Sequence, residues 1–236
     1  MRLTKAKLIA KVQCTPTVES FRFLPEQKID FIPGQFLQIL FDPDNPGNKE
    51  LNKYLSFSSA PQRDYIEVTK RLSQSRFSQA LRELEVNQAV SLNAPLGACV
   101  FKQEYQKIAF LIGGIGITPV ISILEHIAEK KLNTEAYLVY SNRSEEEIAF
   151  KPELDRWCAL SHNFKVSYIV TDCQPKEKTC IFGRIDVGLI KSLVCDLGER
   201  IVFIFGPPKM VEAMQGVSLE AGAKKENLRI ENFIGY

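Results

Sequence analysis

The chain changes its apolar period near residue 103, and that change restricts the fold more than any other feature. Up to about Phe101 the apolar residues fall in short alternating or aromatic runs: RLTKAKLIAKV, ESFRFLP, PGQFLQILF, KYLSFSSAP, YIEVTKRL and AVSLNAPLG. Such runs, punctuated by Gly, Pro, Asn and Asp, predict a six-stranded antiparallel β-barrel. One helix interrupts them, SRFSQALREL, with Ser75 suited to the N-cap and Phe77, Leu81 and Leu84 on one face. From Lys107 onward strands alternate with helices: IAFLIG, TPVISILEHIAEKK, AYLVYSN, KPELDRWCAL, FKVSYIV, DVGLIKSLV, IVFIFG, PPKMVEAMQGVSLEAG and NLRIENF. That order predicts βαβ units and a Rossmann-like parallel sheet. The expected organisation is β followed by α/β, with domains at 1–103 and 104–236 and no long linker.

Composition narrows the class. With 236 residues, 45% of them hydrophobic, the chain can bury one large core or two ordinary ones. A net charge of +2, with no long run of like charges, gives no reason to expect a nucleic-acid partner. The six cysteines (14, 99, 158, 173, 180 and 195) show no C-x-x-C and no zinc or iron-sulfur spacing, so reduced thiols in a cytoplasmic protein are expected. Cys173 and Cys180 could at most form a surface disulfide. The basic N-terminus alternates like a strand rather than a signal peptide, and no segment approaches a membrane span, so no membrane insertion is expected.

The second half carries one turn rich in chemistry. In IAFLIGGIGITPVISIL a buried strand runs into Gly113, Gly114 and Gly116, and Thr118 and Pro119 suit the N-cap and first position of a helix. A strand, a glycine turn and a helix N-terminus form an anion site, and a dinucleotide pyrophosphate is its natural occupant. The next strand ends in Asn142 and Arg143 rather than an acidic residue, which tilts the expectation toward NADPH over NADH, with Lys151 as a possible helper. A second strand-to-helix turn, Gly206, Pro207 and Pro208 followed by Met210, suits a ligand lying across the same sheet edge.

In chain order, the segments PGQF (33–36), KYLSFSSAP (53–61), SRFS (75–78), APLG (94–97), GGIGITP (113–119), GPPKM (206–210) and the terminal ENFIGY resemble the ferredoxin-NADP reductase superfamily over essentially the whole chain. The resemblance implies a barrel that holds a flavin, usually FAD, and a second domain that delivers NADPH or NADH to it. KYLSFSSAP is similar to the flavin motif R-x-Y-S-x-x-S, with Ser56 and Ser59 in register and Tyr54 between the two altered positions. Lys53 replaces the phosphate-binding arginine, keeping its charge without the bidentate fork, and Leu55 replaces the tyrosine that packs on the flavin. On the same resemblance Ser56 lies near the reactive flavin nitrogen, and Val68, Thr69 and Lys70 run beside the cofactor. Arg76, Phe77 and Ser78 would present a helix N-terminus to the diphosphate. Glu231 and Phe233 match the acidic and aromatic pair near flavin and nicotinamide, with Tyr236 as a second aromatic candidate. Phe205 stands where relatives often have a cysteine.

The implied reaction is hydride transfer from NAD(P)H to bound flavin, then one-electron release to an acceptor, with Ser56, Glu231 and Phe233 shaping the site. No metal is implied. The chain ends at Tyr236 without an iron-sulfur domain. The acceptor is therefore expected to be a separate ferredoxin or flavodoxin, a small molecule, or a partner subunit. The alternative is a non-catalytic electron-transfer subunit of a larger redox complex.

Overall fold

The computed structural model describes residues 3–172 and 174–233; Cys173 and Tyr236 lie outside them. The chain divides into two compact units. One runs up to Phe101 and includes Thr118–Glu129; the other comprises Lys102–Ile117 and the chain from Lys130 onward.

Six strands build the first unit: β1 (Leu3–Gln13), β2 (Val18–Pro25), β3 (Phe36–Leu40), β4 (Asn52–Ser56), β5 (Ile66–Arg71) and β6 (Ala89–Leu96). They pair antiparallel in the order β4-β3-β6-β1-β2-β5. Alternation sets the inner face, where Ala6, Leu8, Phe21, Phe23, Leu37, Ile39 and Leu92 are fully buried. The two edge strands curl toward each other, and an antiparallel bridge between Phe57 and Val68 joins them just beyond β4. The Ser58 amide extends that join by donating to the Glu67 carbonyl at 2.8 Å. Curling removes the open edges that a flat sheet of this size would expose. Helix α1 (Arg76–Glu83) connects β5 to β6, and its Phe77 and Leu81 are fully buried in the same core.

The second unit is a parallel sheet of β7 (Lys107–Gly113), β8 (Glu135–Asn142), β9 (Phe164–Val170), β10 (Cys180–Phe182), β11 (Ile201–Gly206) and β12 (Leu228–Asn232). Its order is β10-β9-β8-β7-β11-β12. The connecting helices are α2 (Thr118–Lys130), α3 (Lys151–Leu160), α4 (Val187–Leu193) and α5 (Pro208–Glu220). Leu111, Val139, Ile169 and Ile204 form one core cluster with Ile190 of α4 and Val211 and Met214 of α5. The alternate residues Phe110, Tyr140, Tyr168, Phe203 and Phe205 are buried on the opposite face. Because the central strands are covered on both faces, they read as continuous apolar runs.

Two details depart from expectation. Strand β10, three residues long, was not anticipated: its pairing with β9 comes from tertiary placement, and three residues are too few to show a period. Thr118 is not the N-cap of α2. A 3-10 turn over Gly114–Ile117 leads directly into the helix, so Thr118 is already inside helical backbone and is buried. Asp186 and Ser75, by contrast, do cap α4 and α1 through their side chains. Among the described residues, the cysteines at 14, 99, 158, 180 and 195 form no disulfide. Among the described residues no helix is long and apolar enough to cross a membrane.

Candidate functional site

Three serines follow one another closely in the segment from β4 to Ala60, and the structure gives them different tasks. Ser58 Oγ lies 2.7 Å from Thr69 Oγ1, which lies 2.6 Å from Ser20 Oγ, and Ser58 also donates to Glu67 Oε1 at 3.2 Å. Ser59 Oγ accepts the Glu67 amide at 2.9 Å. Burial raises the Glu67 carboxyl above its ordinary range, opposed by hydrogen bonds from Arg22, at 2.8 Å, and Ser58. Ser58, Ser59 and Thr69 are thus spent inside a polar seam where the edge strands meet. Ser56 is buried and takes no part in that seam.

The neighbouring positions divide by face. Leu55 packs against the barrel core, whereas Tyr54 on the other face of β4 is 60% exposed and meets Phe36 edge-on at 5.8 Å. Phe57 is fully buried and stacks on Phe31 with ring centroids 3.8 Å apart. Val68 is fully buried, and Lys70, although charged, is only 7% exposed. Burial, then the nearby charge of Lys53, lowers the pKa of the Lys70 ammonium. Two cations gathered on adjoining edge strands form a locally positive field suited to a phosphate group.

At α1, Ser75 Oγ accepts the Ser78 amide at 3.3 Å. The hydroxyls of Ser73, Ser75 and Ser78 lie within 3.3 Å of one another. Arg76 is exposed and paired with Glu50 at 3.0 Å, and Phe77 meets Phe41 in the core at 5.5 Å. Sequence reading brought these three residues together as diphosphate contacts; the fold gives Phe77 to packing and leaves Arg76 and the helix N-terminus on the surface side.

In the second unit, β7 has β8 on one side and β11 on the other, so the strand order reverses there. Such a switch point opens a crevice at the carboxyl ends of the strands. Gly113 ends β7 and Gly206 ends β11, and Met210 spans both. A Cβ added at Gly113 would meet Met210 Cε at 3.3 Å, and one at Gly206 would meet its Sδ at 2.8 Å. The other glycines differ in kind. At Gly116 an added Cβ would fall 2.3 Å from the Phe205 carbonyl oxygen, so its missing side chain serves the packing of the turn on β11. Gly114 has φ +51° with nothing within 4 Å of an added Cβ, which leaves its outer side open for a ligand. Pro119 is buried at the start of α2, and Pro207 precedes α5.

Asn142 ends β8 only 5% exposed, and among the described residues neither its Oδ1 nor its Nδ2 has a hydrogen-bond partner. A buried amide in that state is a receptor for polar groups that a ligand or water brings. Arg143 follows it and is exposed. Lys151 is engaged by Asp155 at 2.8 Å and Glu177 at 3.1 Å, and so is committed to its own ion pairs.

Glu231 lies opposite Phe205 in the β11–β12 register. Phe205 stacks on Phe233 with centroids 6.4 Å apart and planes 14° apart, and the Phe233 amide donates to the Gly206 carbonyl at 2.8 Å. Burial pushes the Glu231 carboxyl up to about 7, and its Oε2 has no partner among the described residues. The aromatic that replaces the expected cysteine therefore helps make an apolar wall beside a carboxyl poised near neutrality. Tyr236, the rival aromatic, lies outside the described residues.

Residues 5–101 match the oxidoreductase FAD-binding domain, and residues 110–216 match the oxidoreductase NAD-binding domain. The chain thus joins an oxidoreductase FAD-binding domain to an oxidoreductase NAD-binding domain, on a fold like that of the ferredoxin-NADP reductases. It is an NAD(P)H-dependent flavoprotein oxidoreductase. An NADH-cytochrome b5 reductase 1 of Mortierella alpina is 26% identical over 94% of this chain and 76% of that protein. An NADH nitrate reductase of Nicotiana tabacum is 27% identical over 91% of this chain but only 26% of its own length. The cytochrome b5 reductase domain of Ulva prolifera nitrate reductase superposes with a TM-score of 0.85 at 21% identity, covering 98% of this chain and 97% of that one. A Neisseria gonorrhoeae ferredoxin NADP+ reductase with bound FAD and NADP gives 0.81 at 21% identity, covering 99% and 100%.

Sequence reasoning missed Glu125, whose carboxylate binds the end of the serine segment through the Ala60 amide. No local signal marks it, because a glutamate in a helix reads as a solvated charge.

Proposed function

We propose that the protein takes a hydride from a reduced nicotinamide dinucleotide onto FAD and passes the electrons singly to a separate acceptor protein. The observation that carries this reading is the presence in one chain of two separate sites, each suited to part of a nucleotide cofactor. One is a cationic, hydroxyl-bearing edge in the barrel unit, with Lys53, Ser56 and Lys70. The other is a glycine-turn switch point in the sheet unit, with Gly114, Gly206 and the unpartnered Asn142 amide.

Bound flavin supplies the hydride-accepting and one-electron chemistry, so the chain needs little acid or base catalysis of its own. Its residues bind, orient and set the local field. Lys53 and Lys70 would hold phosphate charge, Ser56 would offer the flavin a hydroxyl, and the Phe205–Phe233 stack stands beside Glu231 as an apolar wall. Glu231 holds its proton near neutral pH and tunes the site by hydrogen bonding. Arg143 offers a cation to an adenosine 2′-phosphate, and Asn142 offers an uncharged amide beside it.

For the acceptor, the names of the relatives support a haem protein of the cytochrome b5 type over ferredoxin or flavodoxin. Purified protein reconstituted with FAD should reduce cytochrome b5 at a rate that saturates with its concentration. Equal or faster reduction of ferredoxin in the same assay would reverse the assignment. Running NADPH and NADH in parallel reads the contribution of Arg143.

A further inference from the structure

The far end of the flavin segment is held from outside the barrel strands. Ala60, fully buried, closes KYLSFSSAP before Pro61, and its amide donates to Glu125 Oε2 of α2 at 2.6 Å. The other carboxylate oxygen of Glu125 accepts from Arg63 through Nε at 2.9 Å and through Nη2. Arg63 reaches Glu129 one turn further on at 3.2 Å. His126, between them, hydrogen-bonds Gln62 at 2.9 Å and meets Phe101 at 6.0 Å. The Glu125 side chain is only 12% exposed, so its charge is compensated by this fork and by the Ala60 amide. Three side chains on two successive turns of α2 thus grip residues 60–63, immediately after the serines.

We infer that Glu125 is a positioning residue for the flavin: by fixing the Ala60 amide it sets the chain direction out of Ser56–Ser59. The inference rests on the flavin reading above. A buried amide bonded to a carboxylate leaves a large desolvation cost when the acceptor goes, so the segment would shift to find another partner. Helix α2 begins directly after the 3-10 turn that follows Gly113, so the same helix that starts at the dinucleotide turn ends in the grip on Ala60. Glu125 touches neither cofactor in this account and acts only through Ala60 and Arg63.

Wild-type protein is first titrated with FAD, which tests the flavin reading by itself. Glu125→Ala, Glu125→Gln and Glu125→Asp are then compared for FAD affinity, kcat and KM for NADH. The inference expects Glu125→Ala to weaken FAD binding about tenfold or more, the loss of a charge-assisted bond, with kcat lowered and KM for NADH within about twofold. Glutamine has the reach to accept the Ala60 amide and should stay near wild type. Aspartate keeps the charge but lacks the reach and should behave like alanine. If Glu125→Ala does not fold, the glutamine and aspartate pair still decides. Aspartate near wild type with glutamine impaired would show a role of charge alone and overturn the inference. Unchanged FAD affinity in both glutamine and aspartate variants would do the same. Failure of wild type to bind FAD would instead sink the flavin reading.

Discussion

Lys70, 7% exposed on β5, has its ammonium pKa lowered by burial and by the charge of Lys53 on β4. We propose that a flavin diphosphate draws on these two cations. Replacing Lys70 by methionine should weaken FAD binding by about tenfold, the loss of one charge-assisted contact. In the apoprotein the folded pKa lies below the unfolded one, so the unfolded chain binds more protons between them. Stability should therefore rise with pH through that window, and Lys70→Met should remove the rise. Denaturant melts at alkaline pH read this sign. Lys53→Arg should tighten FAD, because the guanidinium adds a bidentate fork.

The serines separate by partner. Ser58→Ala breaks the seam of Ser20, Ser58, Thr69 and Glu67 and leaves a buried carboxylate short of one donor. It should cost about 1–3 kcal/mol in denaturant melts. Ser56 lies outside the seam, so Ser56→Ala should leave the midpoint nearly unchanged and slow reduction of the flavin. Equal melting losses in the two variants would assign both hydroxyls to structure.

Glu231 sets a pH dependence of opposite sign to that of Lys70. Its folded pKa, about 7, lies above the ordinary 4.5 because burial disfavours the charged form. The folded state then binds more protons between those values, and stability should fall as pH rises through this window and level off above it. Glu231→Gln should flatten the fall and gain roughly 2 kcal/mol at pH 8, discounted for partial exposure. Thermal melts of the two proteins at several pH values check it.

The glycines make a second contrasting pair. Gly116→Ala would place Cβ 2.3 Å from the Phe205 carbonyl oxygen, so β11 or the turn must move. A loss of about 2 kcal/mol or more is expected. Gly114→Ala meets no atom and carries only the left-handed backbone cost of about 1–2 kcal/mol. If Gly114→Ala proves the more damaging to stability, the packing role assigned to Gly116 is wrong.

Much of this architecture is legible in the residues. The alternation in β1 to β6 and the continuous apolar runs in β7, β8 and β11 mark the two units, since period and burial are local consequences of a strand's surroundings. Ser75 announces its helix because a cap is a local hydrogen bond. Strand β10 and the place of Thr118 were not legible, because both depend on what neighbouring strands and turns do. The glycine turn reads from sequence as one device. Only the fold shows that Gly116 admits the Phe205 carbonyl while Gly114 faces open space. Likewise KYLSFSSAP shows its hydroxyls but not their assignment, since the partners of Ser58 and Ser59 come from β5. Glu125 lies 65 residues from Ala60, and nothing in either neighbourhood announces the bond.

The central claim is that one chain binds both cofactors and moves a hydride between them. Rapid mixing of FAD-reconstituted protein with NADH or NADPH, without oxygen and without acceptor, tests it directly. The account predicts bleaching of the flavin absorbance in a single turnover, slowed by Ser56→Ala and by Glu125→Ala. A flavin that binds but stays oxidised under both nucleotides would contradict it.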